Sequence, residues 1–139
     1  MAKFEVNGIT ELSNDLAALM ELPDSVTDSI LNAEADVIVD AQQRTMAQML
    51  RGRYSTGETA RSIRKGKIKK GKDGKSITIT PAGTNRRGER NAAVAFINEY
   101  GKKGQAPRPA IKTANEKSMD ESIAAGEKVY TDYLDSRNL

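Results

Sequence analysis

The chain has no cysteine, no histidine and no tryptophan, and only two Phe and four Tyr in 139 residues. Without cysteine there is neither a disulfide framework nor a thiolate nucleophile. Without histidine, the commonest general base near neutral pH, the commonest metal ligand and most hydrolytic triads drop out. No apolar run approaches the length of a membrane span and the N-terminus lacks a signal-peptide pattern, so a soluble chain made in a cytoplasm, with no membrane partner, is expected. Apolar residues make up 37% and aromatics 4%. The length suits a single domain over residues 1–139, with a thin core of Ile, Leu, Val, Ala and Met. A thin core in a charged chain leans toward burial completed by a partner or by self-association.

What is present is charge, unevenly placed. Residues 1–50 hold two Lys/Arg against nine Asp/Glu, residues 51–90 hold thirteen against three, and residues 91–139 hold seven of each. An acidic, a basic and a balanced segment together give the net +3. Such asymmetry points to a partner of opposite sign, either nucleic acid or a neighbouring copy of the chain.

Ile9, Leu12, Leu16, Leu19 and Met20 recur at helical steps until Pro23 ends the pattern. Asp24 or Ser25 then caps a longer helix to about Leu50, with Val26, Ile30, Ala33, Val37 and Ala41 as its stripe. Glu58 to Ser62 fits one helical turn, with Thr56 able to cap it through its hydroxyl and Gly57 permitting close backbone approach. Next comes a hairpin. Ser76–Thr80 alternates cleanly, whereas Ile63 and Ile68 lie five apart, so a regular strand would put them on opposite faces. A bulge at Gly66 would restore the register. Gly71 to Gly74 is the turn. Ala82–Arg90 has the composition of a mobile loop, and Ala92–Ile97 fits a third strand or the start of a short helix. Lys102–Gln105 suggests a flexible tether. Pro109 opens a closing helix to about Ser136, whose face of Ile111, Ala114, Ser118, Ser122, Ala125, Val129 and Tyr133 is small and weakly apolar.

No catalytic residue, metal site or cofactor site is expected. The carboxylates at Asp120-Glu121 and over residues 24–40 fall on polar helix faces, not in a pocket that would shift a pKa. The glycines of the basic region lack the spacing of a phosphate loop and fit turns and a bulge instead. The hairpin over residues 61–75 is the nucleic-acid candidate. Arg64, Lys65, Lys67, Lys69, Lys70, Lys72 and Lys75 could neutralise phosphates, although no aromatic lies between them for stacking. The alternative is an exposed hairpin whose lysines block edge-to-edge aggregation.

Three stretches occur in order: Tyr54-Ser-Thr-Gly57 leading into Ser62-Ile63, then Ala95-Phe-Ile-Asn-Glu-Tyr-Gly101, then the step from Pro107 to Pro109. With the long helix before them and the basic hairpin between the first two, they resemble the lambdoid "gene product ten" tail-component family of long-tailed bacteriophages. That family comprises small head–tail joining or tail-completion proteins and shows a Thr-Gly-x-Leu-x-x-Ser-Ile stretch and a Phe-x-Glu-Phe/Tyr-Gly stretch. Here Thr59 stands at the Leu position, and two residues, not one, separate Phe96 from Glu99. The resemblance spans about residues 8–135 and carries Thr56, Gly57, Ser62, Ile63, Phe96, Tyr100, Gly101, Pro107 and Pro109 as structural positions.

The resemblance implies an α+β fold, with a long N-terminal helix and a C-terminal helix packed on a small antiparallel sheet with a protruding basic hairpin. It implies a non-enzymatic virion protein of the neck, assembled in the host cytoplasm as a homo-oligomeric ring. That ring would lie between the head–tail connector and the tail terminator or tail tube proteins, with DNA passing through its lumen. The runner-up is a small nucleic-acid-binding module using hairpin 61–75. Two structural expectations accompany the first reading. Phe96, Ile97 and Tyr100 would fill the core under the sheet, and the acidic helix of one copy would face the basic hairpin of the next.

Overall fold

A computed structural model describes residues 22–50 and 56–138 of the chain. The expected helix over Ile9–Met20 and the Tyr54-Ser55 part of the first stretch lie outside the described residues. The elements run α1 (Asp24–Met49), α2 (Glu58–Arg61), β1 (Ile63–Lys65), β2 (Lys69–Gly71), β3 (Gly74–Ser76), β4 (Ile79–Pro81), α3 (Asn91–Tyr100) and α4 (Ala110–Ser136). The class is α+β, as expected.

Two long antiparallel helices, α1 and α4, form the frame. At 26 and 27 residues each is roughly 40 Å long. Their seam is made of small side chains. On α4 the buried residues Ala110, Ala114, Ser118, Ser122 and Gly126 recur every fourth position, a single ridge. Facing them on α1 are Ala35, Ala41 and Gln42. Small residues let the backbones approach. Ser122 Oγ donates to the Glu34 carbonyl at 3.1 Å, and Gln42 Nε2 donates to Asn115 Oδ1 at 2.8 Å. Ala114, Ser118 and Ser122 of the expected face are buried; Ile111, Ala125, Val129 and Tyr133 are half-buried beside them. The α1 stripe is half-buried from Val26 to Val37 and buried at Ala41, with Ala35, Gln42 and Met46 buried as well. The helix begins at Asp24 itself, so neither Asp24 nor Ser25 is the cap. Pro23 precedes it, with no side-chain cap, and its carbonyl accepts from Val26 and Thr27 N–H.

The main core lies at the C-terminal end of α1. Met46, Ala60, Ile63, Ala95 and Ala110 are buried together, with Val39, Met49, Leu50, Ile79 and Ile111 packed around them. Met46 and Ile63 are the largest fully buried side chains. Each such burial stabilises by roughly 1.5–3 kcal/mol.

The hairpin is long and bent. β1 pairs with β4 in the register Ile63↔Pro81, Arg64↔Thr80, Lys65↔Ile79, and β2 pairs with β3 through Lys69↔Ser76, Lys70↔Lys75, Gly71↔Gly74. Between the two ladders the first strand spends three residues (66–68) and the second only two (77–78). This is the bulge anticipated at Gly66, whose N–H donates to the Thr78 carbonyl at 2.7 Å. Ile68, Ile77 and Ile79 are all half-buried, while Thr78 and Thr80 are exposed.

One connection differs from expectation, and at Ala92–Ile97 one of the two open alternatives is realised. Ala82–Arg90 is not a loose loop. Asn85 Oδ1 accepts from Arg87 and Glu89 N–H at 2.9 and 3.0 Å, and the Asn85 and Gly88 N–H groups close back onto the Glu89 and Asn85 carbonyls. Its composition suggested mobility because an asparagine side chain that organises backbone N–H groups resembles, in sequence, one that is merely solvated. Ala92–Ile97 lies within a helix, not a strand. Buried Asn91 begins that helix and donates from Nδ2 to the Ala82 carbonyl at 2.8 Å.

Candidate functional site

The stretch from Ala95 to Ile111 builds a rigid joint between α3 and α4. α3 ends at Gly101, whose N–H donates to the Ile97 carbonyl at 2.7 Å. Gly101 has φ +78°, and a Cβ there would come within 2.8 Å of the Gln105 carbonyl oxygen and 3.0 Å of Pro107 Cδ. Only glycine fits both the dihedral and the space. Lys102–Gln105, expected as a flexible tether, is instead a tight turn in which residues 102 and 105 exchange both backbone hydrogen bonds at 3.1 and 2.9 Å.

Asn98 and Glu99 lock the turn to the start of α4. Asn98 Oδ1 accepts from Arg108 Nη2 at 2.7 Å and Gln105 Nε2 at 3.2 Å, and its backbone carbonyl accepts from Arg108 N–H at 2.6 Å. The Glu99 carboxylate accepts from the N–H groups of Ile111 and Lys112, both at 2.9 Å. A side chain from α3 thus caps α4, satisfying donors that every helix start leaves orphaned and placing negative charge at the positive end of the dipole. Pro109 directly precedes α4 as anticipated, and Pro107 packs against Gly101.

The aromatic side chains do not do what was expected of them. Phe96 and Tyr100 are 64% and 68% exposed, and Ile97 also faces outward; none of the three fills the core. The inward position of α3 is taken by Ala95. With Asn98 and Glu99 committed to the joint and Ala95 to the core, residues 96 and 100 fall on the opposite side of a ten-residue helix. Their rings pack on one another with centroids 4.8 Å apart in a tilted arrangement, a favourable pairing geometry.

The described residues of the first stretch make local structural contacts. The Thr56 hydroxyl accepts from Glu58 N–H at 3.3 Å, and Gly57 sits at φ +75°. Ser62 Oγ donates to the Thr59 carbonyl at 2.7 Å, and Ser62 O accepts from Ala82 N–H at 2.9 Å. Ile63 is fully buried, and its carbonyl accepts from Gln43 Nε2 of α1 at 3.0 Å.

The basic hairpin turns part of its charge inward. Lys75 Nζ lies 2.7 Å from Asp28 Oδ1 and 3.1 Å from Asp24 Oδ1, and donates to Thr27 Oγ1 at 2.9 Å. Lys70 reaches Asp24 at 3.2 Å and Lys65 reaches Asp36 at 2.7 Å. Hydrogen bonds from Lys75 and then Lys70 hold the Asp24 carboxyl below its ordinary value. The Asp28 contact foremost raises Lys75, against a partial opposing effect of its own desolvation. The pairing of acidic helix and basic hairpin expected between neighbouring copies therefore forms inside one chain. Arg64 turns back onto the Arg61 carbonyl at 2.7 Å, while Lys67, Lys69 and Lys72 are exposed and make no ion pair with a described residue.

One cleft of about 360 Å³ lies between α1, α2 and α3, lined among others by Met46, Leu50, Glu58, Arg86, Val94 and Arg108. Its Glu58 carboxyl is bound by Arg86 through the side chain at 2.9 Å and the backbone N–H at 3.1 Å, which lowers its pKa. A carboxyl shifted downward is an ion-pair partner, not a proton donor near neutral pH. Among the described residues no group of three or more Asp/Glu is arranged to hold a metal ion, and no helix is long and apolar enough to cross a membrane.

The contributions of Asn85, Asn91, Asn98 and Glu99 were missed. Asn91, Asn98 and Glu99 act on groups seven to thirteen residues away, which leaves no local pattern. Asn85 instead organises N–H groups two and four residues on, a local turn signature that composition alone does not separate from a solvated asparagine. Only the N-cap logic of a carboxylate near a Pro-started helix could have suggested Glu99. Comparison with family models, with curated proteins and with solved structures found no match to this chain.

Proposed function

We propose that this chain is a non-enzymatic structural subunit of a bacteriophage neck. It forms an oligomeric ring that joins the head-side connector to the tail tube, is assembled in the host cytoplasm and is retained in the virion. One observation supports the reading above others. The resembling stretch Phe96–Gly101 combines an inward half, which fixes the direction of α4, with an outward half, which holds two aromatic rings packed at a tilt and exposed to solvent. In a chain with so few aromatics, two of them held outward on a fixed mount are suited to burial against another protein. Electron microscopy of the purified protein at high concentration tests the proposal: annular particles are expected, and a strict monomer at every concentration would count against it.

A second reading, a nucleic-acid-binding module, draws on exposed Lys67, Lys69 and Lys72 at the hairpin. A filter-binding titration with duplex DNA separates the two. Tight binding whose log affinity falls linearly with log salt would favour the second.

A further inference from the structure

Five large apolar side chains stand exposed among the described residues, and they fall in two patches. The first is Phe96, Ile97 and Tyr100 on α3. Directly after it, in the tight turn behind Gly101, come Lys102 and Lys103, both exposed and neither paired with a described carboxylate. The second is on α4, where Met119 and Ile123 are 57% and 49% exposed and one turn apart, hence stacked on one face. At three- and four-residue spacing around them lie Glu116, Asp120 and Glu127, all exposed and none paired with a described cation, and no Lys or Arg occupies such a position.

The two patches complement each other. One is aromatic with a basic margin; the other is aliphatic and thioether with an acidic margin. A methionine thioether against aromatic rings is a favourable contact. Opposite charges at a rim steer the encounter and fix its orientation. Either patch against a copy of itself would bring like charges together. We propose that Phe96, Ile97 and Tyr100 of one copy dock on Met119 and Ile123 of the next copy, with Lys102 and Lys103 facing Glu116, Asp120 and Glu127. The contact is heterologous, so repetition gives a closed ring or an open filament. It rests on the oligomeric reading above and supplies that reading with a specific interface. The hairpin and α1 already pair Lys65, Lys70 and Lys75 with Asp36, Asp24 and Asp28 within the chain, whereas the charges beside these two patches are unpaired among the described residues.

The absence of native cysteine makes the test direct. Phe96→Cys and Ile123→Cys proteins are prepared separately, mixed, and oxidised mildly. The expected result is a disulfide-linked dimer in the mixture and little in either variant alone. Equal dimer in one variant alone would show a two-fold contact and overturn the proposal. No cross-link in a mixture that still sediments as an oligomer would overturn this interface and leave the ring standing. A protein monomeric at all concentrations would overturn both. Charge reversal is the second arm. Lys102→Glu with Lys103→Glu should weaken association about tenfold, and adding Glu116→Lys and Asp120→Lys should restore it. Association unchanged by the first pair, or not restored by the second, argues against the contact.

Discussion

The hairpin over residues 63–81 and the joint over residues 95–111 are held to the helical frame by different forces. The outer part of the hairpin is attached by charge, Lys70 and Lys75 reaching Asp24 and Asp28 on α1, with Lys65 of the inner ladder reaching Asp36. The joint is attached by shape and by short hydrogen bonds to backbone: Gly101 at positive φ, Arg108 N–H on the Asn98 carbonyl, and the Glu99 carboxylate on the N–H groups at the start of α4. Ion pairs open to solvent are individually weak and screened by salt, and although the Lys75 side chain is only 14% exposed, its partners Asp24 and Asp28 face solvent. A turn that only glycine fits and a helix start capped at its backbone donors do not depend on such pairs. One region can thus be loosened by salt and pH, while the other sets the direction of a helix permanently.

The largest break in that contrast should come from Gly101→Val. It places a β-branched residue at positive φ and against the Gln105 carbonyl, so a loss of about 2–4 kcal/mol is expected in chemical denaturation. Association should fail with it. A Gly101→Val protein of parental stability and assembly would refute the joint as described. Glu99→Ala should cost less, about 1–2 kcal/mol, since it removes one cap and leaves the turn intact. Amide exchange should rise first at Ile111 and Lys112, and exchange spread evenly along α4 would contradict the capping role.

The hairpin should respond to conditions instead. Asp24 is depressed, so its contribution is present above the ordinary carboxylate range and lost as pH falls through the lowered value. Glu58, depressed by Arg86, acts in the same direction. Lys75 is raised, so its contribution is present below the ordinary lysine value and lost as pH rises through the raised one. The outer strands β2 and β3 should be held best across neutral pH and loosen at both extremes and at high salt. Lys75→Ala should mimic that loosening with a small change in overall melting temperature. Hydrogen exchange over residues 69–76 is the readout, and protection that ignores salt would break the distinction between the two regions.

Local pattern made much of the frame legible. Periodicity and prolines located α1 and α4, and the five-residue interval from Ile63 to Ile68 located the bulge. Thr56 accepts at the start of α2 as its hydroxyl suggested, and Gly57 takes a positive φ that glycine allows. Tertiary partners were not legible. Phe96 and Tyr100 were expected inside because aromatics usually are, yet Ala95 is the α3 residue in the core. The α4 seam is so narrow that serine and glycine serve where larger apolar residues would be sought. The intrachain match of Asp24 and Asp28 to Lys75 spans some fifty residues, beyond any local signal.

The smallest stability effect is the most telling. Phe96→Ser with Tyr100→Ser, monitored in parallel by thermal melting and sedimentation, tests whether the aromatic pair is a contact surface. Exposed side chains should change stability by only about 0.5 kcal/mol each, where a core role would cost roughly 3–5 kcal/mol for a single aromatic. A near-parental melting temperature with association lost is expected. A collapse in melting temperature, or association at parental strength, would contradict the aromatic pair as a contact surface.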